Sequence, residues 1–180
     1  GMFQVAETQL YGVPPTCPRP LAAADSNITA TSADIFWSEA ASATEWEVEF
    51  DTTGFAATGI ATNAGLTDTT LAVSGLLSNT TYDYYVRAVC SAGDSSYWSG
   101  PYSFTTPCVA LSTPFFEDFS STSSTQACWT VLNENGDGDA WGMDNTANPL
   151  VGDESASMHT DFNFGANDDY LVTPTLTLTG

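Results

Sequence analysis

The sequence predicts an all-β chain of two consecutive β-sandwiches. Three observations predict this. Apolar side chains alternate with polar ones over Glu45–Asp51 and again over Tyr82–Val89, and a period of two means a half-buried strand. Gly, Pro, Asn and Ser clusters punctuate the chain between such runs. No stretch of any length carries a helical period.

The totals bound the function before any motif is read. The 180 residues hold 22 acidic and 2 basic side chains, for a formal net charge of -20. Such a surface repels phosphate and anionic lipid, so nucleic-acid binding and membrane insertion are not expected. Hydrophobic residues make up 42%, enough to build cores, so the charge is not a sign of disorder. It fits either solubility in a salty medium or oxygen ligands for a divalent cation. Four cysteines, at positions 17, 90, 108 and 128, are even in number and form no C-x-x-C pair. That fits an oxidising compartment rather than zinc or thioredoxin chemistry. No run approaches the transmembrane length of about 20 residues. A secreted or cell-surface location is expected, with any signal segment outside this chain.

Residues 1–16 read as an arm or linker stiffened by Pro14 and Pro15. The first domain is expected over 17–106. Its strands are Leu21–Ala24, then Ser32–Ser38 with Ile35 and Trp37 on one face, then Glu45–Asp51. In that third strand Trp46, Val48 and Phe50 point inward. Glu45, Glu47, Glu49 and Asp51 form an outward acidic ladder, read as a solvated face that discourages edge pairing. A further strand is expected around Ile60, and another over Thr69–Val73. In the next strand Tyr82, Tyr84, Val86 and Ala88 share one face. Tyr82 sits just past the turn at Gly75–Asn79, where a β-sandwich tyrosine corner places its ring. Ser91–Ser96 is a polar loop, Pro101 fits an edge or a bend, and Tyr102-Ser103-Phe104 opens the last strand.

The Leu-rich strand, L-x-x-N-T-x-Y turn, Y-x-V-R-A-V strand and W-S-x-P-x-x-F-T-T ending resemble a fibronectin type III domain. That resemblance implies a non-catalytic spacer or adhesion module, of the kind found in secreted proteins of Bacteroidetes-type bacteria. In this fold the chain enters at the end of the sandwich where the strand ending at Cys90 finishes, which pairs Cys17 with Cys90.

Composition shifts at Pro107, after which no Lys or Arg occurs. Strands are expected at Phe115–Phe119, Cys128–Leu132, Ala140–Met143, Ser155–Thr160 and Tyr170–Leu178. The motifs F-F-E-D-F, C-W-T, N-G-D-G-D-A-W and D-D-Y-L-V-T-P-T-L resemble the start of a cleaved-adhesin domain, and more distantly a MAM domain. Members are jelly-roll sandwiches longer than 107–180. The resemblance therefore implies an incomplete sandwich whose open edge pairs with a neighbour. It also implies a Cys108–Cys128 bridge and bound calcium.

The candidate chemistry is sparse. Asn135, Asp137 and Asp139 lie in a Gly-bearing loop whose alternate oxygen side chains suit a hard cation such as Ca²⁺. The same residues also suit a hairpin turn for backbone reasons alone. Glu117, between Phe116 and Phe119, needs a partner if buried, and no cation follows Pro107, so a metal is its natural counter-charge. In related jelly rolls an acid at this place helps hold structural calcium. Asp169 is the weaker member of the set. Tyr97 and Trp98 flank a loop and are the expected exposed aromatic pair for stacking on a ligand such as a sugar. A Ser-His-Asp triad built on His159 would need three groups converging in space, which neighbours in one strand do not supply. No enzyme is expected. The favoured function is adhesion to a host or matrix protein or polysaccharide, with calcium rigidifying the second domain. The alternatives are an accessory carbohydrate-binding region of a secreted hydrolase or protease, and a passive spacer.

Overall fold

The structure, a computed structural model, describes residues 15–41, 43–120, 123–134, 136, 141–142, 157–158 and 169–178. The chain divides into two compact units. One holds 1–28, 32–75 and 81–105; the other holds 29–31, 76–80 and 106–180. The arm expected over 1–16 lies almost entirely outside the described residues.

The first unit is a pair of antiparallel sheets. β1 (Leu21–Ser26), β2 (Ser32–Ser38) and β5 (Thr70–Ser74) make a three-stranded sheet in the order β1-β2-β5. β3 (Glu45–Thr52), β4 (Asn63–Leu66), β6 (Thr81–Ser91), β7 (Asp94–Ser95) and β8 (Ser99–Thr105) make the other. Its path runs β4-β3-β6-β7, with β8 also pairing β6. The inward residues are those the alternation names. Ile35, Trp37, Trp46, Val48, Tyr82, Tyr84, Val86, Ala88 and Phe104 are buried. Tyr82 stacks on Phe50 at 4.9 Å and on Phe104 at 5.8 Å between ring centroids. Trp37 and Trp46 meet at 6.3 Å.

Gly100 is required where β8 crosses β6. Its φ is +136°, and a Cβ there would lie 2.7 Å from the Tyr84 carbonyl oxygen. The β6–β8 register shifts at that point, between Tyr84 and Val86, and Pro101 follows in a strand that pairs with β6 alone.

Two expectations for this unit are corrected. No strand forms around Ile60, which is 77% exposed; the strand is β4, at Asn63–Leu66. Thr58 and Gly59 donate instead to the Glu49 carboxylate, and that bends the chain away from a ladder. The acidic ladder is not uniformly solvated either. Glu49 is 4% exposed, because the segment after β3 folds back over it.

The second unit is built from short pairs. β9 (Leu111–Ser112) runs parallel to β14 (Leu176–Thr177). β10 (Thr130–Asn133) is antiparallel to β13 (Asp169–Val172), and β11 (Trp141–Gly142) to β12 (Ser157–Met158). The strand expected at Phe115–Phe119 is absent. Glu117 and Asp118 turn their carboxylates onto the N–H groups of Phe119 and Ser120, at 2.8 and 2.9 Å, and Phe119 has φ +55°. Such local side-chain bonds compete with a ladder. Cys128 ends a short 3₁₀ turn, Gln126–Cys128, and the strand starts at Thr130. The run expected over Tyr170–Leu178 breaks into β13 and β14 around the buried Pro174. Thr106, fully buried, accepts from Thr80 N at 3.0 Å and lies 2.7 Å from the Leu77 carbonyl.

Both disulfides form as expected: Cys17–Cys90 and Cys108–Cys128. Cys17–Cys90 closes a sequence separation of 73. Replacing both cysteines by serine is expected to lower the unfolding free energy by about 3–5 kcal/mol. Urea unfolding followed by circular dichroism measures it.

Candidate functional site

The first candidate region lies where β7 passes into β8. The ring of Tyr97 is 54% exposed, and the Arg19 guanidinium sits over it, 5.1 Å from the ring centroid. Arg19 reaches there because Cys17, two residues earlier, is bonded to Cys90 at the end of β6. Trp98 differs. Arg87 covers its ring at 4.5 Å, and Arg87 also pairs with Glu47 at 2.5 Å, its neighbour across the β3–β6 ladder. Trp98 is half-buried, so the exposed aromatic pair reduces to Tyr97 with Arg19 beside it. A ring over a guanidinium contributes about 0.5–2 kcal/mol, more as it is desolvated. Both arginines of the chain are thus spent on consecutive aromatic residues. The signal was present in the sequence, because those two side chains are its only strong cations.

The second region is the oxygen-rich part of the second unit. Glu117 gathers donors from its own loop. Oε1 accepts from Phe119 N at 2.8 Å, and Oε2 from Ser123 Oγ at 3.1 Å and Thr125 Oγ1 at 2.5 Å. Partial burial pushes this carboxyl up, but Thr125, Ser123 and the Phe119 N–H outweigh it and hold the group below the ordinary carboxylate range. The indole of Trp129 adds to this through its dipole without forming a geometrically sound hydrogen bond. Trp129 is flanked by Phe119 at 4.9 Å and Phe115 at 6.3 Å. The counter-charge expected for Glu117 is met in this arrangement by neutral donors.

Asn135, Asp137 and Asp139 lie outside the described residues. Just before and between them, Asn133 Oδ1 accepts from Gly136 N at 2.7 Å. Asp169 stands opposite Asn133 in the β10–β13 register, so the ladder brings the weaker member of the oxygen set beside Asn133. Among the described residues no cluster of three or more His, Cys, Asp or Glu side chains is arranged to hold a metal.

Sequence reasoning missed a third cluster. Asp83 and Glu49, both buried, face the segment after β3 and bind its backbone. The available signal was the placing of Gly54 and Gly59 in that segment, where positive φ frees N–H groups to turn toward an anion.

The first unit is thus a disulfide-closed, two-sheet antiparallel module with a tyrosine at the start of its central strand. Residues 17–105 match the family model of the fibronectin type III domain, and the chain carries such a domain there. The match ends at Thr105. Similar solved structures include a fourth fibronectin type III domain of human origin, with 18% identity, TM-score 0.46, and coverage of 58% of this chain and 91% of that one. The fibronectin type III domain of the human collagen alpha-1(XX) chain shows 18% identity, TM-score 0.45, and coverage of 58% and 98%. The FN5 domain of Drosophila Lar shows 16% identity, TM-score 0.41, and coverage of 52% and 100%. No curated protein matches the chain.

Trp98→Ala strips the Arg87 stack and is expected to destabilise the first unit by about 1–3 kcal/mol. Tyr97→Ala should change the unfolding midpoint by less than a third of that. Glu117→Ala removes the acceptor of three hydrogen bonds, of which only the Ser123–Thr125 hydroxyl pair can partly recover, and should destabilise the second unit by about 1–3 kcal/mol. The Glu117 value is depressed in the folded state. Its contribution is complete above the ordinary carboxylate range and is lost as pH falls through the lowered value. In acid, below about pH 4, the Trp129 indole resonance should shift in the native chain and stay fixed in Glu117→Gln.

Proposed function

We propose that this chain is a non-catalytic binding module of a larger exported or cell-surface protein, adhering to a host, matrix or polysaccharide surface. The observation that carries the reading is the half-open ring of Tyr97, fixed by Arg19 beside the Cys17–Cys90 bridge. A rigid aromatic ring offers contact area at low conformational-entropy cost. The fibronectin type III domain is commonly an extracellular binding or spacer module and typically non-catalytic. The two disulfides fit an oxidising compartment. Among the described residues no helix is long and apolar enough to cross a membrane.

The same ring favours a second reading, an accessory carbohydrate-binding region of a secreted hydrolase or protease, because sugar faces stack on aromatic rings. Glycan arrays and immobilised matrix proteins separate the two. Binding to glycans that Tyr97→Ala abolishes supports the carbohydrate reading, and binding to matrix protein alone supports adhesion. No binding to either leaves a passive spacer.

Calcium belongs to the proposal for the second unit, held by Glu117, Asn135, Asp137, Asp139 and Asp169. Support comes from the oxygen-only chemistry of the set and from the register that faces Asp169 with Asn133. At Glu117 an ion would take the place of the Ser123 and Thr125 protons, and those hydroxyls can rotate to offer oxygen instead. Self-association through an open strand edge of this unit is part of the same reading. Metal analysis and thermal unfolding with and without EDTA test the ion. Bound calcium is expected, with a midpoint lowered by several degrees on chelation. An unchanged midpoint with no bound metal removes calcium from the proposal.

A further inference from the structure

We propose that residues 53–61 form an acid-released strap, a segment that opens from the sheet as a unit, ahead of the sandwich, when Asp83 and Glu49 take up protons. The strap crosses the outer face of β3 and β6 and is pinned at three places. At its start, Asp83 Oδ2 accepts from Gly54 N at 2.7 Å and from Thr53 Oγ1 at 3.0 Å. In its middle, the Tyr85 hydroxyl donates to the Phe55 carbonyl at 3.2 Å, and the Phe55 ring stands edge-on to Tyr85 at 5.2 Å. At its far end, Glu49 Oε1 accepts from Thr58 N at 2.8 Å and Thr58 Oγ1 at 2.6 Å, and Oε2 from Gly59 N at 3.2 Å. Ladder bonding resumes only outside these pins, with Thr53 N on the Thr81 carbonyl and Thr62 N on the Val48 carbonyl.

Two carboxylates therefore do most of the holding. No charged side chain occurs from Thr52 to Thr67, so the strap contributes donors and no counter-ion. The other groups facing the pair are few. Arg87, bound to Glu47, favours the charge on Glu49. Asp51 lies opposite Asp83 in the ladder, while Ser103 of β8 donates to Asp83 Oδ1 at 2.6 Å. β4 carries no titratable group.

The Ser103 hydroxyl and the Gly54 N–H hold Asp83 below its ordinary value. Burial raises Glu49, but the Thr58 and Gly59 donors outweigh it and the net direction is also down. Both directions give one sign. The strap is fully held above the ordinary carboxylate range and loosens as pH falls through the lowered values. The buried apolar side chains of β6, Tyr82, Tyr84, Val86 and Ala88, point to the opposite face. Opening therefore leaves the core packed and uncovers Phe55 and Tyr85.

Amide hydrogen exchange on the full chain, corrected for intrinsic rates and stepped from pH 7 to below about pH 4, tests this. The protection of the Gly54, Thr58 and Gly59 amides is expected to fall about tenfold or more, while the ladder amides of Tyr84 and Val86 stay within about twofold. In Glu49→Gln with Asp83→Asn, the three amides should start less protected and lose their pH dependence. Simultaneous loss at strap and ladder, or constant strap protection across the window, overturns the proposal. The native chain alone decides it if the double variant does not fold.

Discussion

The period-two alternation of β6 is the constraint on which the first unit depends. β6 bonds β3 along one edge and β8, then β7, along the other, so its register fixes four strands at once. A slip of one residue would exchange Tyr84 and Val86 for Asp83, Tyr85 and Arg87 on the core side. Each feature outside the core is referred to the same strand. Cys90 at its end holds the entering chain, and its Tyr84 carbonyl sets the need for Gly100. Its outward Asp83 and Tyr85 hold the strap, and its Arg87 holds Trp98.

A chain with two cations and 22 acids cannot neutralise its carboxylates by ion pairing. Glu49, Asp83 and Glu117 show the alternative. Each is surrounded by Ser or Thr hydroxyls and backbone N–H groups. A hydrogen bond to a charged acceptor contributes about 1.5–3 kcal/mol, against about 0–1 kcal/mol for an exposed ion pair. Three such donors can outweigh the desolvation of a half-buried carboxylate, and the downward direction at all three groups agrees with that balance. Both arginines cap aromatic rings, where planarity matters as much as charge, and Arg87 also makes the ion pair with Glu47.

Legibility in the sequence followed the physics of each signal. Ser32–Ser38 was readable to the residue because one face is fully buried, and periodicity reports burial. The Cys17–Cys90 pairing was readable because topology brings the ends together whatever the loops do. Glu49 was misread because alternation says which face a side chain takes, not what later folds over that face. The bonds that hold the covering segment to it come from Thr58 and Gly59, whose N–H and hydroxyl donors leave no hydrophobic pattern. Phe115–Phe119 failed for a related reason: its apolar residues suggested a strand, but Glu117 and Asp118 captured the backbone N–H groups a ladder would need. The pair Tyr97 and Trp98 was half legible. Their place beside a loop put both near the surface, and the position of Arg87 over Trp98 separates them.

The two units are held together by different kinds of force. Among the described residues, Pro174 is the one buried apolar side chain beyond Phe104, and the rest lie at or before it. After it, Val109, Phe116, Leu132, Tyr170, Val172 and Leu178 are exposed, Phe116 by 84%. What holds the described part of the second unit is therefore local and polar or covalent. The Cys108–Cys128 bridge, the aromatic group around Trp129, the donors on Glu117 and short strand pairs carry it. Apolar burial stabilises by area and is indifferent to modest changes of solvent, whereas hydrogen-bonded carboxylates and cystines respond to protons, ions and thiols. The sensitivity of this protein to its surroundings should thus reside after Pro107, at the Cys17–Cys90 bridge and in the strap at 53–61, while the packed face of β6 remains the invariant part.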